Sequence, residues 1–244
     1  MLRRLGSAVE HRFLVKNPCE AIKLPPPPRG RRRQKPFLYR HQFNAMLELM
    51  QEPYASMVFV AIFTGLRVSE LAALKWRNVH TNAITIDERY CRGDWSQPKS
   101  EASNATIPIN REVIERIERL KELTVIVPWG GHGARKQFRA VRSAGPEDLV
   151  FQSLRKGAPM RDNNILCRHI KPAARKLGLD FVNWQVLRRS FATWLNMAGV
   201  NVKDAQALMR HAHAATTQDI YQQFVPESQQ RAVEQLSNLG GMVQ

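Results

Sequence analysis

The chain is short of acid: its 21 Asp and Glu face 37 Lys and Arg, leaving a formal charge of +16. A folded domain with so few carboxylates cannot neutralise its own surface, and such an excess is the footprint of a polyanionic partner. Nucleic acid is the leading reading, an anionic membrane surface or a merely soluble basic protein the alternatives. Cysteine is scarce too. Cys19, Cys91 and Cys167 are odd in number, far apart and without a CxxC pair, so neither a disulfide framework nor a thiolate zinc site is indicated. They read as small core residues. No run approaches the roughly 18 apolar residues of a membrane span, and the first eleven residues hold no apolar signal-peptide core, so the expectation is a cytoplasmic protein with no membrane association. The GxxxxGK[ST] phosphate loop and the GxSxG elbow are absent, which removes support for nucleotide hydrolysis and for α/β-hydrolase chemistry. What the chain does have is 43% hydrophobic residues over 244 positions, enough for a sizeable core in one large domain, or one domain plus a fragment.

Pro25–Pro28 and the basic residues Arg29, Arg31, Arg32, Arg33 and Lys35 form a stretch that can neither build a hydrogen-bond ladder nor bury apolar area. Residues 25–36 therefore read as a linker, and its charges as a solvated run or as contacts to phosphates. Residues 1–24 look like a last helix and exit strand without their partners, as in an amino-terminally shortened form. From Pro36 onward the apolar spacing predicts helices over about 40–51, 53–64, 67–77, 111–123, 161–176, 186–198, 201–210, 215–223 and 227–238. Ala83–Asp87 and Ala105–Ile109 alternate like two strands of a small antiparallel sheet around the turn-prone stretch from Cys91 to Ser100. Residues 124–147, with Arg135, Lys136, Arg139 and Arg142, are expected to form an ordered basic excursion. The fold class is mainly α with a small antiparallel β-sheet, α+β.

Phosphodiester transfer without a metal needs a nucleophile, neutralisation of the non-bridging oxygens and a proton donor for the departing sugar oxygen. Arginine suits the second task, because its planar fork pairs with phosphate oxygens and stays charged. Arg67 follows Gly65, which breaks one helix, and opens the next, where a helix amino terminus already favours anions. Arg188 is expected in the first turn of a second helix. The bland alternative for each is a surface arginine at a helix start.

ThrGlyLeuArgValSerGluLeu at 64–71 and LeuArgArgSerPheAlaThr at 187–193 resemble the two arginine boxes of tyrosine recombinases of the phage-integrase type. LeuMetArgHisAlaHisAlaAlaThrThrGlnAspIleTyr at 208–221 is similar to the family's carboxy-terminal box, and ProLysSerGluAlaSerAsnAlaThrIleProIle resembles its β-hairpin lysine segment. The likeness covers about residues 37–225. It implies a tyrosine-recombinase catalytic-domain fold acting on double-stranded DNA, without ATP or other cofactor, as a homo-oligomer, a tetramer on DNA. Arg67 and Arg188 would hold the scissile phosphate, Lys99 would protonate the leaving 5′ oxygen, His211 would donate to the phosphate, and Tyr221 would form a 3′-phosphotyrosyl link. It further implies that residues 1–24 are the remnant of a core DNA-binding domain, 37–225 the catalytic domain, and 226–244 a carboxy-terminal helix or tail exchanged between subunits. A tyrosine of ordinary pKa about 10 is only about one part in a thousand ionised at pH 7, a handicap near 4 kcal/mol that nearby cations must offset.

Two positions depart from the pattern. Gln185 stands where the family usually has His; an amide can bond a phosphate oxygen but cannot exchange a proton near neutral pH. Met209-Arg210 replaces a more usual Leu-Gly pair, and Arg210, like Arg189, is expected to add a phosphate contact. Three other readings compete. A catalytically impaired DNA-binding remnant or regulator is one, since the helices around 186–210 could pass for a helix-turn-helix. A type IB topoisomerase shares the chemistry. His169, His211 and His213 invite a zinc site, which the lack of a neighbouring carboxylate or Cys cluster argues against.

Overall fold

The computed structural model describes residues 7–19, 35–97, 105–131, 133–211 and 217. The chain divides into two compact units, Met1–Gln34 and Lys35–Gln244. In the first, residues 7–10 form a helical turn and 11–19 run through turns and bends, so the exit strand expected there is not seen among the described residues.

The second unit is built around a helix with no solvent face. α1 (Arg40–Glu48) buries Phe43 and Met46, whereas α2 (Tyr54–Thr64) buries all of its length from Ala55 to Ile62, then Thr64, as a helix apolar on every side must. α2 packs on α4 (Arg111–Arg119) and on α7 (Trp184–Met197). Both of these carry a side-chain cap. Asn110 accepts from the Val113 N–H at 3.0 Å and Asn183 from the Val186 N–H at 3.0 Å, each satisfying one of the donors that a helix start leaves unpaired. The core they close holds Leu38, Phe43, Met57, Ile62, Leu71 and Leu187, all fully buried and each contributing about 1.5–3 kcal/mol of transfer free energy.

The helix predicted over 67–77 is cut short. α3 spans only Val68–Leu71, and a 3₁₀ turn follows at Trp76–Asn78. Long-range backbone bonds displace the helix: the N–H groups of Trp76 and Arg77 donate to Asp148 and Pro146, and Val150 donates to Leu74. The predicted strand pair is present as β1 (Ala83–Ile86) against β4 (Ala105–Pro108), in register Ile84 to Ile107. Two further antiparallel pairs accompany it where one small sheet was expected. β2 (Arg89–Cys91) pairs with β3 (Asp94–Ser96), and β5 (Thr124–Pro128) with β6 (Arg135–Arg139), so the basic excursion is an ordered hairpin.

α5 (Asp162–Ile165) runs through a π-helical segment, Leu166–Ile170, into α6 (Lys171–Lys176). Pro172 at the start of α6 lacks the N–H that would bond the carbonyl of Arg168, a sufficient reason for the regular ladder to slip there. α8 (Val202–Met209) ends on Arg210 in the left-handed conformation, φ 50 and ψ 48. Among the described residues no helix is long and apolar enough to cross a membrane. The cysteines are not core residues after all: Cys91 and Cys167 are exposed and Cys19 is partly so.

Candidate active site

The site grows from the bend between α2 and α3. Gly65 closes α2 at φ 61, and a Cβ there would lie 2.5 Å from Cδ1 of Phe191 on α7, so conformation and space both demand glycine. Thr64 tightens the bend: its hydroxyl donates to the Val60 carbonyl at 2.6 Å and accepts from the Leu66 N–H at 3.2 Å. Arg67 is then the N-cap of α3, as its sequence context implied. Glu70, one turn on, accepts from the Arg67 backbone N–H through Oε2 and from Arg67 Nη1 through Oε1, both at 2.8 Å.

Arg188 reaches the same bend from α7. Its helix begins at Trp184, two residues before the expected start, so Arg188 sits in the second turn rather than the first. The two ends of its fork donate to the carbonyl oxygens of Gly65 and Met209. One guanidinium thus ties the residue two before Arg67 to the residue two before His211. Burial, and next the guanidiniums of Arg67 and Arg210, pull its pKa from 12.5 to about 9, which still leaves it cationic at pH 7.

Arg210 faces into the fold: its residue is 2% exposed and its Nη2 donates to Glu70 Oε2 at 2.7 Å. Arg189 donates to the Pro36 carbonyl at 2.8 Å in a solvent-exposed bond. With Ser190 accepting from the Leu38 N–H and Trp194 donating to the Leu38 carbonyl, α7 clamps residues 36–38.

His211 follows directly, with Nδ1 2.9 Å from the hydroxyl of Thr217. Burial first, then Arg188, Arg67 and Arg210, push its pKa from 6.5 down to about 4, so the ring is neutral at pH 7. Where Thr217 donates to Nδ1, Nε2 carries the proton and is the atom left to donate to a ligand. The structure therefore brings Arg67, Arg188 and His211 together, with Glu70 and Arg210 behind them. Gln185 is exposed on the first turn of α7, and Lys35 is exposed. Lys99 and Tyr221, with Arg29, Arg31, Arg32 and Arg33, lie outside the described residues, as do His213 and the helices predicted beyond 211 apart from Thr217. His169 stacks on Tyr54 at 3.6 Å, and among the described residues no group of His, Cys, Asp and Glu could hold a metal ion.

Sequence reasoning missed two features. Glu70 was legible as an Arg-x-x-Glu spacing at a helix start. The second is a groove of about 550 Å³ whose lining includes Arg155, Lys156, Arg161, Arg168 and His169 and no carboxylate. Arg161 is the N-cap of α5 and Arg168 lies in the π-helical segment that follows it. A smaller cleft of about 200 Å³, lined by Val68, Ser69, Tyr90, Arg92 and Arg161, sets the β2–β3 turn beside α3.

A model of the phage integrase family matches residues 36–227. The chain is 25% identical over 243 residues to the ICEBs1 integrase of Bacillus subtilis, covering 96% of this chain and 62% of that protein. It is 31% identical over 182 residues to the tyrosine recombinase XerD of Rickettsia conorii, covering 72% and 50%. It spans about 60% of the length of the first of these curated relatives. In fold it is similar to the Tn1549 transposon integrase in complex with transposon right end DNA, at TM-score 0.65 and 19% identity over 97% of this chain and 76% of that one. The XerA recombinase gives TM-score 0.61 and 22% identity over 96% and 80%. With a family match across most of its length and the arginine boxes meeting at one bend, the chain belongs to the phage integrase family.

Proposed function

We propose that the chain is the catalytic part of a site-specific DNA recombinase that cuts and rejoins duplex DNA through a 3′-phosphotyrosyl intermediate. The observation that carries this is the convergence of Arg67, Arg188 and a neutral His211 on one bend, where among the described residues Arg67 and Arg210 pair with the Glu70 carboxylate and Arg188 lies close by. That arrangement has an excess of positive charge and directional donors, as a phosphoryl group in transfer requires. In the proposed reaction Tyr221 Oη, its proton released to solvent, attacks phosphorus as the phenolate, the P–O5′ bond breaks, and Lys99 protonates the departing oxygen. Arg67, Arg188 and Nε2–H of His211 hold the non-bridging oxygens. Attack of a 5′ hydroxyl from another strand on the link then rejoins the backbone, so bond energy is conserved and no cofactor is called for.

The groove around Arg155, Lys156, Arg161 and Arg168 supplies the sequence-independent part of duplex binding, along with Lys35 and the linker arginines Arg29, Arg31, Arg32 and Arg33. Assembly as a tetramer on DNA, with residues 226–244 exchanged between subunits, and action in the cytoplasm of a prokaryotic cell belong to the same reading. One observation favours a second reading of slow or lost catalysis: Gln185, exposed one turn before Arg188, cannot carry a proton. Incubation with a nicked suicide duplex tests the matter on a denaturing gel. The expected result is a covalent protein–DNA band that Tyr221→Phe lacks; duplex binding with no band in either protein would leave only the binding module.

A further inference from the structure

Arg210 is costly where it stands. A non-glycine residue in the left-handed region is strained, and a guanidinium buried with a single carboxylate gains little over a well-packed apolar side chain. Among the described residues its Nε has no hydrogen-bond partner either. Stability alone does not favour this residue here.

Its one strong bond lies between two parts of the site. Glu70 takes Arg210 on Oε2 and Arg67 on Oε1, so the carboxylate is held from both sides. Arg67 keeps 42% of its side chain exposed at the mouth, while Glu70 and Arg210 are at 3% and 1%. Arg210 also leads straight into His211, and its left-handed turn directs the chain that aims the ring. Glu70 sits below its ordinary pKa because Arg210 and then Arg67 outweigh the upward push of burial, so the carboxylate remains charged and able to grip both.

Resting on the function proposed above, we propose that Arg210 is a positioning residue for the phosphate site. Through Glu70 it fixes the Arg67 guanidinium, locks the end of α8 against the start of α3, and adds positive charge to the pocket without touching the phosphate.

The test compares Arg210→Gly, which relieves the backbone and removes the charge, with Arg210→Lys, which keeps a cation opposite Glu70. Single-turnover cleavage of the suicide duplex at saturating protein is expected to fall about 100-fold in Arg210→Gly, the scale of a misplaced reacting group, and to recover about 10-fold in Arg210→Lys. Duplex Kd changes less than about 2-fold, and the slope of log K against log salt stays put, whereas a lost phosphate contact would cut it by about 0.9. In DNA-free protein the NMR titration of His211 moves up toward its ordinary value in Arg210→Gly and stays depressed in Arg210→Lys. Unaltered cleavage in Arg210→Gly, or a salt slope reduced by a full contact, overturns the proposal. Should wild type form no adduct, the proposed function fails, and the His211 titration and salt slope still decide the role of Arg210. Should Arg210→Gly fail to fold, Arg210→Lys carries the test: a rate no better than that of Glu70→Gln would refute it.

Discussion

Replacing Gly65 with alanine perturbs the bend on which both arginine boxes meet, and the structure gives the cost in two separable parts. The first is conformational, since φ 61 in a residue with a Cβ costs roughly 1–2 kcal/mol. The second is steric: the new Cβ would stand 2.5 Å from Phe191 Cδ1 and 3.2 Å from Met209 Sδ. Those separations are well inside carbon contact distance, and overpacking of this kind costs about 1–3 kcal/mol. The sum is about 2–5 kcal/mol. Gly199 provides the control, having φ 79 and no atom within 4 Å of its built Cβ, so Gly199→Ala carries only the first part. The gain from restricting the unfolded chain is common to both and cancels in the comparison. Urea unfolding of the two variants at constant m is the assay. Gly65→Ala should be less stable than Gly199→Ala by about 1–3 kcal/mol, and adding Phe191→Ala should show favourable coupling of similar size. Two variants within about 0.5 kcal/mol of each other, with no coupling to Phe191, would refute this packing of the bend.

Other substitutions probe the chemistry and the helix starts. Arg188→Ala should lower single-turnover cleavage about 100- to 1,000-fold while changing duplex Kd far less, and equal losses in both would make Arg188 a binding residue only. His211, with a folded pKa below its unfolded one, contributes stability that is present above about pH 6.5 and is lost as pH falls toward 4. Its partial exposure screens the full shift to about 1–2 kcal/mol, and His211→Asn should flatten the urea-derived stability profile across that window by this amount. Asn183→Ala should cost about 1 kcal/mol as a lost cap, checked by the same unfolding assay. Gln185→His should raise cleavage near neutral pH by about 100-fold, the lower part of the general acid–base range, and an unchanged rate would place that side chain outside proton transfer.

The helices α4 and α7 were legible from an apolar period behind an asparagine cap, α2 from an apolar run closed by Gly65, and α1 from its apolar spacing alone. Gly65 followed by Arg67 marked the end of one helix and the start of the next for the same local reason. The fate of residues 72–78 was not legible, since the backbone partners that unwind them sit at Pro146, Asp148 and Val150, some seventy positions away. The β5–β6 hairpin was read only as an ordered excursion, although Val125, Val127 and the glycines after Trp129 supply alternation and a turn. The burial of Arg210 was the least legible, because in sequence it is a basic residue beside a box of the family, and the carboxylate that draws it inward is 140 positions earlier. Arg67, Arg188 and His211 were found through the boxes around them, whereas Glu70 emerged only once its two guanidinium partners were in place.

The most direct test of the central claim, that these boxes serve one transferring phosphate, is to map the bond itself. The covalent complex formed on a suicide duplex can be digested with protease and nuclease and sequenced by mass spectrometry. A nucleotide joined through its 3′ phosphate to Tyr221, with a free 5′ hydroxyl on the released strand, is the expected result. A link at another residue, or one through a 5′ phosphate, would contradict it.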